Sequence, residues 1–102
     1  MTSKQRAYLK SLAMTMDPVL QIGKGGLTPE LTAAIAEALA ARELIKINVL
    51  QNCEWEASDL AQTAAERTRS DVVQVIGRKI VLYREGKDDK KKIELPPARK
   101  KA

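Results

Sequence analysis

The residues best placed to do chemistry are Gly23-Lys24-Gly25-Gly26-Leu27-Thr28, a glycine-rich loop with one lysine. Val19, Leu20 and Ile22 precede it as a short apolar run limited by Pro18, and Thr28-Pro29 follows it as a helix N-cap with proline at the first helical position. The predicted order is strand, glycines, helix. Glycines there allow positive φ and a close backbone approach to a ligand. The unpaired N–H groups at the start of the next helix favour an anion. A phosphate fits this chemistry.

Three glycine patterns compete for the loop. A Walker P-loop needs G-x-x-x-x-G-K-[ST], but Pro18 stands five residues before Gly23 and Gly25 follows Lys24. A dinucleotide fingerprint needs a third glycine where Thr28 stands, within a long βαβ array. What remains is Gly23-x-x-Gly26, the spacing with which KH domains clamp a nucleic-acid backbone. A strand-to-helix turn also wants glycine, so spacing alone leaves a purely structural role open. Lys24 favours a ligand, because an exposed cation at a tight turn adds nothing to folding.

Other chemistries find little support. The chain has no histidine, the most frequent general acid or base, and a single cysteine, Cys53. That excludes an internal disulfide and a zinc site; Cys53 reads as a half-buried residue at a strand end. Glu54/Glu56 open a helix and Asp88/Asp89 lie in a charged tail, so both pairs read as solvated surface. No nucleophile constellation is present. The expectation is a protein that is not an enzyme and has no metal or cofactor.

The net charge of +5 over 102 residues is unevenly spread. Residues 1–27 hold four Lys/Arg against one Asp (+3), residues 28–71 four against eight Asp/Glu (−4), and residues 72–102 ten against four (+6). Basic ends flank an acidic middle. This suggests one electropositive surface for a polyanion and an opposite surface that avoids it, although a basic, soluble protein without such a partner has the same composition. With no Phe, one Trp and two Tyr, the core must be aliphatic. No apolar run approaches the roughly 20 residues that span a bilayer, and the first residues lack a secretory pattern. A cytoplasmic monomer is expected.

The elements that position the loop follow from periodicity. A first helix is expected over Ser3–Met16, with Ser3 as N-cap and no capping box because Arg6 occupies its third position. Lys4, Arg6 and Lys10 fall off its apolar stripe. Pro29–Arg42 is the clearest helix, and Leu44–Leu50 alternates as a strand whose Lys46 and Asn48 line an open face. A third helix is expected over 54–69, with Ser58 as an alternative N-cap. Trp55 before it either covers the core edge or stacks on a base. Val72–Ile76 and Lys79–Arg84 form a hairpin about Gly77-Arg78, with glycine first as a type II′ turn wants, and the Tyr83 hydroxyl turned outward. The expected domain is 1–84, followed by a basic, loosely docked tail over 85–102.

Read together, Leu9-Lys10-Ser11-Leu12-Ala13, Pro18 to Thr28, Glu43-Leu44-Ile45-Lys46-Ile47 and Val75 to Arg84 resemble the CRM (chloroplast RNA splicing and ribosome maturation) domain family, in its stand-alone bacterial, YhbY-like form. The resemblance covers about residues 3–95. It implies a compact two-layer α/β sandwich, a four-stranded mixed sheet with three helices, similar to the C-terminal domain of bacterial translation initiation factor three. It also implies RNA as partner, for bacterial members precursors of the large ribosomal subunit. The family's loop maps onto Gly23, Lys24, Gly25 and Gly26.

Both lines combine into one expected mechanism. Main-chain N–H groups of Gly25, Gly26 and Leu27 approach an RNA phosphate and Lys24 neutralises a neighbour. Lys4, Arg6, Lys10, Arg78 and Lys79 extend the basic track, and the tail acts as a loose clamp. With few aromatics, base stacking contributes little and specificity is modest. The competing reading is a protein-interaction module in which the acidic, alanine-rich middle docks a partner and the glycine loop is only a turn.

Overall fold

The computed structural model describes residues 1–86 and Ile93. Three helices, α1 (Ser3–Ala13), α2 (Pro29–Arg42) and α3 (Ala57–Thr68), alternate with four strands, β1 (Leu20–Ile22), β2 (Leu44–Val49), β3 (Asp71–Ile76) and β4 (Lys79–Tyr83). The sheet order is β1-β2-β4-β3. β1 and β2 pair in parallel across the α2 crossover, and the other two pairings are antiparallel, so the sheet is mixed as expected.

Strand alternation divides the core between two faces. Ile45, Ile47 and Val49 of β2, Ile80 and Leu82 of β4 and Ile22 of β1 point to one face, under Ile35 and Leu39 of α2 and Leu60, Ala61, Ala64 and Ala65 of α3. Leu44, Val81, Tyr83 and Val73 point to the other, under Leu9 and Ala13 of α1. Helices, strands and mixed sheet match the expectation, but the layering is helix, sheet, helix rather than two layers. The reason lies in β2 and β4, which carry apolar residues on both faces (Leu44 beside Ile45, Val81 beside Ile80 and Leu82), and a strand buried on both sides needs cover on both.

Local chemistry sets the helix ends. The N-cap of α1 is Thr2, not Ser3: its hydroxyl accepts from the Gln5 N–H while the Gln5 side chain accepts from the Thr2 N–H, both at 3.1 Å. A capping box is therefore present where none was expected, with Thr2 one residue ahead of Ser3 as the cap and Gln5 as its third residue. The helix stops at Ala13, short of Met16, since the chain must turn to enter β1 ahead of Pro18. The N-cap of α2 is Thr28, whose hydroxyl accepts from Leu31 N–H at 3.1 Å with Pro29 behind it. α3 starts at Ala57 with Glu56 in the cap position, so Ser58 lies inside the first turn. Among its C-terminal residues, Arg69 takes the left-handed cap conformation (φ 56°).

Two further expectations are corrected. Cys53 is a free thiol buried within the larger core cluster, not a half-exposed strand end. Tyr83 is 3% exposed and its hydroxyl is buried, with no hydrogen-bond partner among the described residues. Loss of hydration, with the carboxylates of Glu43, Glu85 and Asp71 nearby, pushes its pKa up to about 12. The outward hydroxyl expected from the sequence is thus turned inward; burial comes from α1, which covers that end of the sheet.

Glu43 closes α2 and also holds the chain beyond β4. It is fully buried at a left-handed φ of 67°, its carbonyl accepts from Arg84 N–H, and its carboxylate accepts from the N–H of Gly86 at 2.7 Å and of Ile93 at 2.8 Å. Arg84 in turn donates to the carbonyls of Thr68 (2.9 Å) and Ala36 (3.2 Å), tying both helices of that layer to the end of β4. The rest of the predicted tail lies outside the described residues.

Candidate nucleic-acid interface

Because β1, β2 and β3 run in the same sense, their C-terminal ends gather with the start of β4 at one end of the sheet. Three connections meet there. Leu50 N–H bonds to the Ile22 carbonyl, placing the β2–α3 segment beside the glycine loop, and Val49 N–H bonds to the Arg78 carbonyl at 2.7 Å, bringing the β3–β4 turn onto the same edge. In α/β folds this end of the strands is the usual place for a ligand.

Within the loop, Gly26 N–H donates to the Gly23 carbonyl at 3.0 Å, closing a four-residue turn over Lys24 and Gly25. Neither Lys24 nor Gly25 has positive φ, as in a type I turn, which accepts most residues. Gly26 is different. Its φ is 69°, it is buried, and a Cβ there would lie 3.0 Å from Trp55 Nε1. Glycine is required at 26 by the backbone, and the indole would have to move for any side chain there. Gly25 is exposed, and a Cβ on it would meet only the Thr28 methyl at 3.6 Å; the fold does not ask for glycine there. The Gly26 N–H is thus committed to the turn, a correction to the expectation that it faces a phosphate. The N–H groups of Gly25 and Leu27 have no partner among the described residues, and Lys24 is exposed.

A second feature lies on the α1 face. α1 covers Leu44, Val73, Val81 and Tyr83 and leaves the half of that face nearer the glycine-loop end open. There a cavity of about 470 Å³ is lined by Lys10, Lys46 and Lys79 with Gln74, Ile76 and Met14 among its walls. None of the three lysines has an ion-pair partner among the described residues. Met14 and Ile76 are 78% and 58% exposed at its rim.

The predicted site residues therefore separate into groups. Gly23, Lys24, Gly25 and Gly26 form the turn. Arg78 sits at the hairpin, where positive φ at Gly77 alone agrees with a type II′ turn, and its guanidinium donates to the Leu50 carbonyl at 3.3 Å. Lys79 and Lys10 meet in the open cavity, and Lys79, next to Arg78 in the chain, makes it continuous with the loop end. Lys4 and Arg6 do not line that cavity; they lie roughly 9 and 6 Å back along the α1 axis from Lys10 at 1.5 Å per residue. Lys46 was legible only as a polar residue on an alternating strand; its convergence with Lys10 and Lys79 depends on β4 pairing beside β2. Trp55, expected at the core edge or on a base, is 61% exposed and rests against Gly26.

These features define a mixed-sheet α/β domain that presents a glycine turn and exposed cations at the C-terminal end of its strands. The model of the CRS1/YhbY (CRM) domain matches residues 1–84, and the chain belongs to that family. It is similar to "Probable RNA-binding protein YqeI" of Bacillus subtilis, 50% identical over 94% of this chain and 99% of that one. An RNA-binding protein of Haemophilus influenzae is 39% identical over 94% and 95% of the two chains. The solution structure of the hypothetical protein SAV1595 from Staphylococcus aureus superimposes with a TM-score of 0.79 at 52% identity, covering 94% of this chain and 99% of that chain. Among the described residues no helix is long and apolar enough to cross a membrane, and no group of three or more Cys, Asp or Glu is placed to hold a metal ion.

Proposed function

We propose that the protein binds RNA, and that it associates in the bacterial cytoplasm with precursor large-subunit ribosomal RNA as a monomeric assembly factor, without catalysis or cofactor. The observation that carries the reading is Gly25. It is exposed and free of backbone strain with room for a Cβ, so its lack of a side chain serves close approach by something outside the fold. A phosphate oxygen would accept from the N–H groups of Gly25 and Leu27, with Lys24 against the neighbouring phosphate. Arg78 and Lys79 then lead the backbone from the loop end onto the open half-face, where Lys46 and Lys10 continue the track. Lys4, Arg6 and the basic tail add further, salt-sensitive affinity. The relatives named as RNA-binding proteins support the partner class; the large-subunit assignment rests on the family resemblance.

The test is crosslinking in cells followed by sequencing of the attached RNA, comparing wild type with Gly25→Asp. The site accepts a Cβ, so the variant should fold while placing a negative charge against the phosphate. Crosslinks concentrated on large-subunit RNA and lost in the variant are expected. Their absence from both proteins would return the glycines to a structural role and favour the acidic middle as a protein-docking surface.

A further inference from the structure

Between Trp55 and the β3–β4 turn lies a cavity of about 310 Å³, walled by Trp55, Glu54 and Glu56 on one side and by Gly77 and Arg78 on the other. This is a size at which small-molecule groups are held. An exposed tryptophan is unusual in a chain this poor in aromatics, and Trp55 does not serve the core: it belongs to neither buried cluster. Its pyrrole ring lies instead over Gly26, beside the turn read above as phosphate-facing. Glu54 and Glu56 make the cavity hostile to a phosphate, so what enters beside a bound backbone must be the neutral part of a nucleotide.

Resting on the RNA-binding reading above, we propose that this cleft takes one unpaired base, and that its chemistry selects guanine. The flat indole offers a stacking surface. Guanine has adjacent donors at N1 and N2, matching the two oxygens of a carboxylate from Glu54 or Glu56, and acceptors at O6 and N7 that suit the Arg78 guanidinium. Uracil offers one donor, and adenine and cytosine one amino group each. The protein then reads a base at the point where the backbone crosses the loop, which makes it selective for single-stranded or bulged RNA rather than for helical shape alone.

Trp55 is the sole tryptophan, so its fluorescence reports on this cleft directly. The full chain is titrated with a labelled uridine tract carrying one central guanosine, and with the same tract carrying uridine or an abasic unit there, reading both label anisotropy and tryptophan emission. The expected result is quenching by the guanosine RNA and an affinity about tenfold higher than for the other two. Glu54→Gln/Glu56→Gln should bind all three RNAs more tightly, through lost repulsion, yet with the guanosine preference gone. Trp55→Phe should keep the preference and Trp55→Ala lose it, with circular dichroism unchanged. Equal affinity for all three RNAs without quenching would overturn the base site while leaving backbone binding intact. No anisotropy change with any RNA would overturn both.

Discussion

The two middle glycines of the loop should part company on mutation. Gly26→Ala forces an L-residue to φ 69° and sets its Cβ 3.0 Å from Trp55 Nε1. The left-handed conformation costs about 1–2 kcal/mol for alanine. The exposed indole can swing away, so the steric part adds little beyond the lost contact. Gly25→Ala meets only the Thr28 methyl at 3.6 Å and keeps an ordinary φ, so it should change stability by no more than about 0.5 kcal/mol. Urea denaturation monitored by circular dichroism measures both, and thermal melts should show a fall of roughly 4–8 °C per kcal/mol for a domain of this size. In a Trp55→Ala background Gly26→Ala should still cost about 1 kcal/mol, since the backbone term survives without the ring. RNA affinity should show the opposite order, with the stable Gly25→Ala protein binding weakly because a methyl now stands where the phosphate approaches. The reasoning fails if the two alanine variants are equally stable, or if Gly25→Ala binds RNA as wild type does.

Three further outcomes are expected. Tyr83 titrates in the folded state at about 12, above its ordinary value of 10.0, so between those two pH values the unfolded chain gives up its proton first. Stability conferred by the neutral hydroxyl is complete below pH 10 and should fall by about 2 kcal/mol on rising to pH 12. Tyr83→Phe should lack that part of the alkaline loss and be equal or slightly more stable at pH 7, by urea melts at pH 7 and pH 11. Glu43→Gln keeps the shape of the carboxylate but cannot serve both amides as a charged acceptor, so stability should drop by about 1–2 kcal/mol and hydrogen exchange at Gly86 and Ile93 should accelerate. Replacing Lys10, Lys46 and Lys79 together with Gln should lower the slope of log affinity against log salt by about three phosphate contacts, and Lys24→Ala alone by about one. An unchanged slope would remove those residues from the RNA track.

Periodicity and punctuation in the sequence were enough to mark the seven elements and their order, and the family resemblance supplied the mixed sheet. Leu31, Ile35 and Leu39 repeat at helical spacing, Ile45, Ile47 and Val49 alternate, and Thr28-Pro29 and Gly77-Arg78 mark local conformations that depend on few neighbours. The Gly-x-x-Gly turn was equally legible, because turn chemistry is local. Thr2 as N-cap was available too, in the Thr2 to Gln5 spacing, but Ser3 competed one residue on. Tertiary structure alone decided the rest. Which glycine is structural depends on the φ of 69° that the folded turn imposes on Gly26, under the ring of Trp55 nearly thirty residues away. Whether Lys10, Lys46 and Lys79 converge depends on β4 inserting between β2 and β3 and on α1 crossing only part of the face. The burial of Tyr83 and Glu43 follows from where α1, Gly86 and Ile93 settle. Hydrophobic pattern and capping act over a few residues and can be read along the chain; convergence of charges and the fit of a ring against a backbone are set by which surfaces packing brings together.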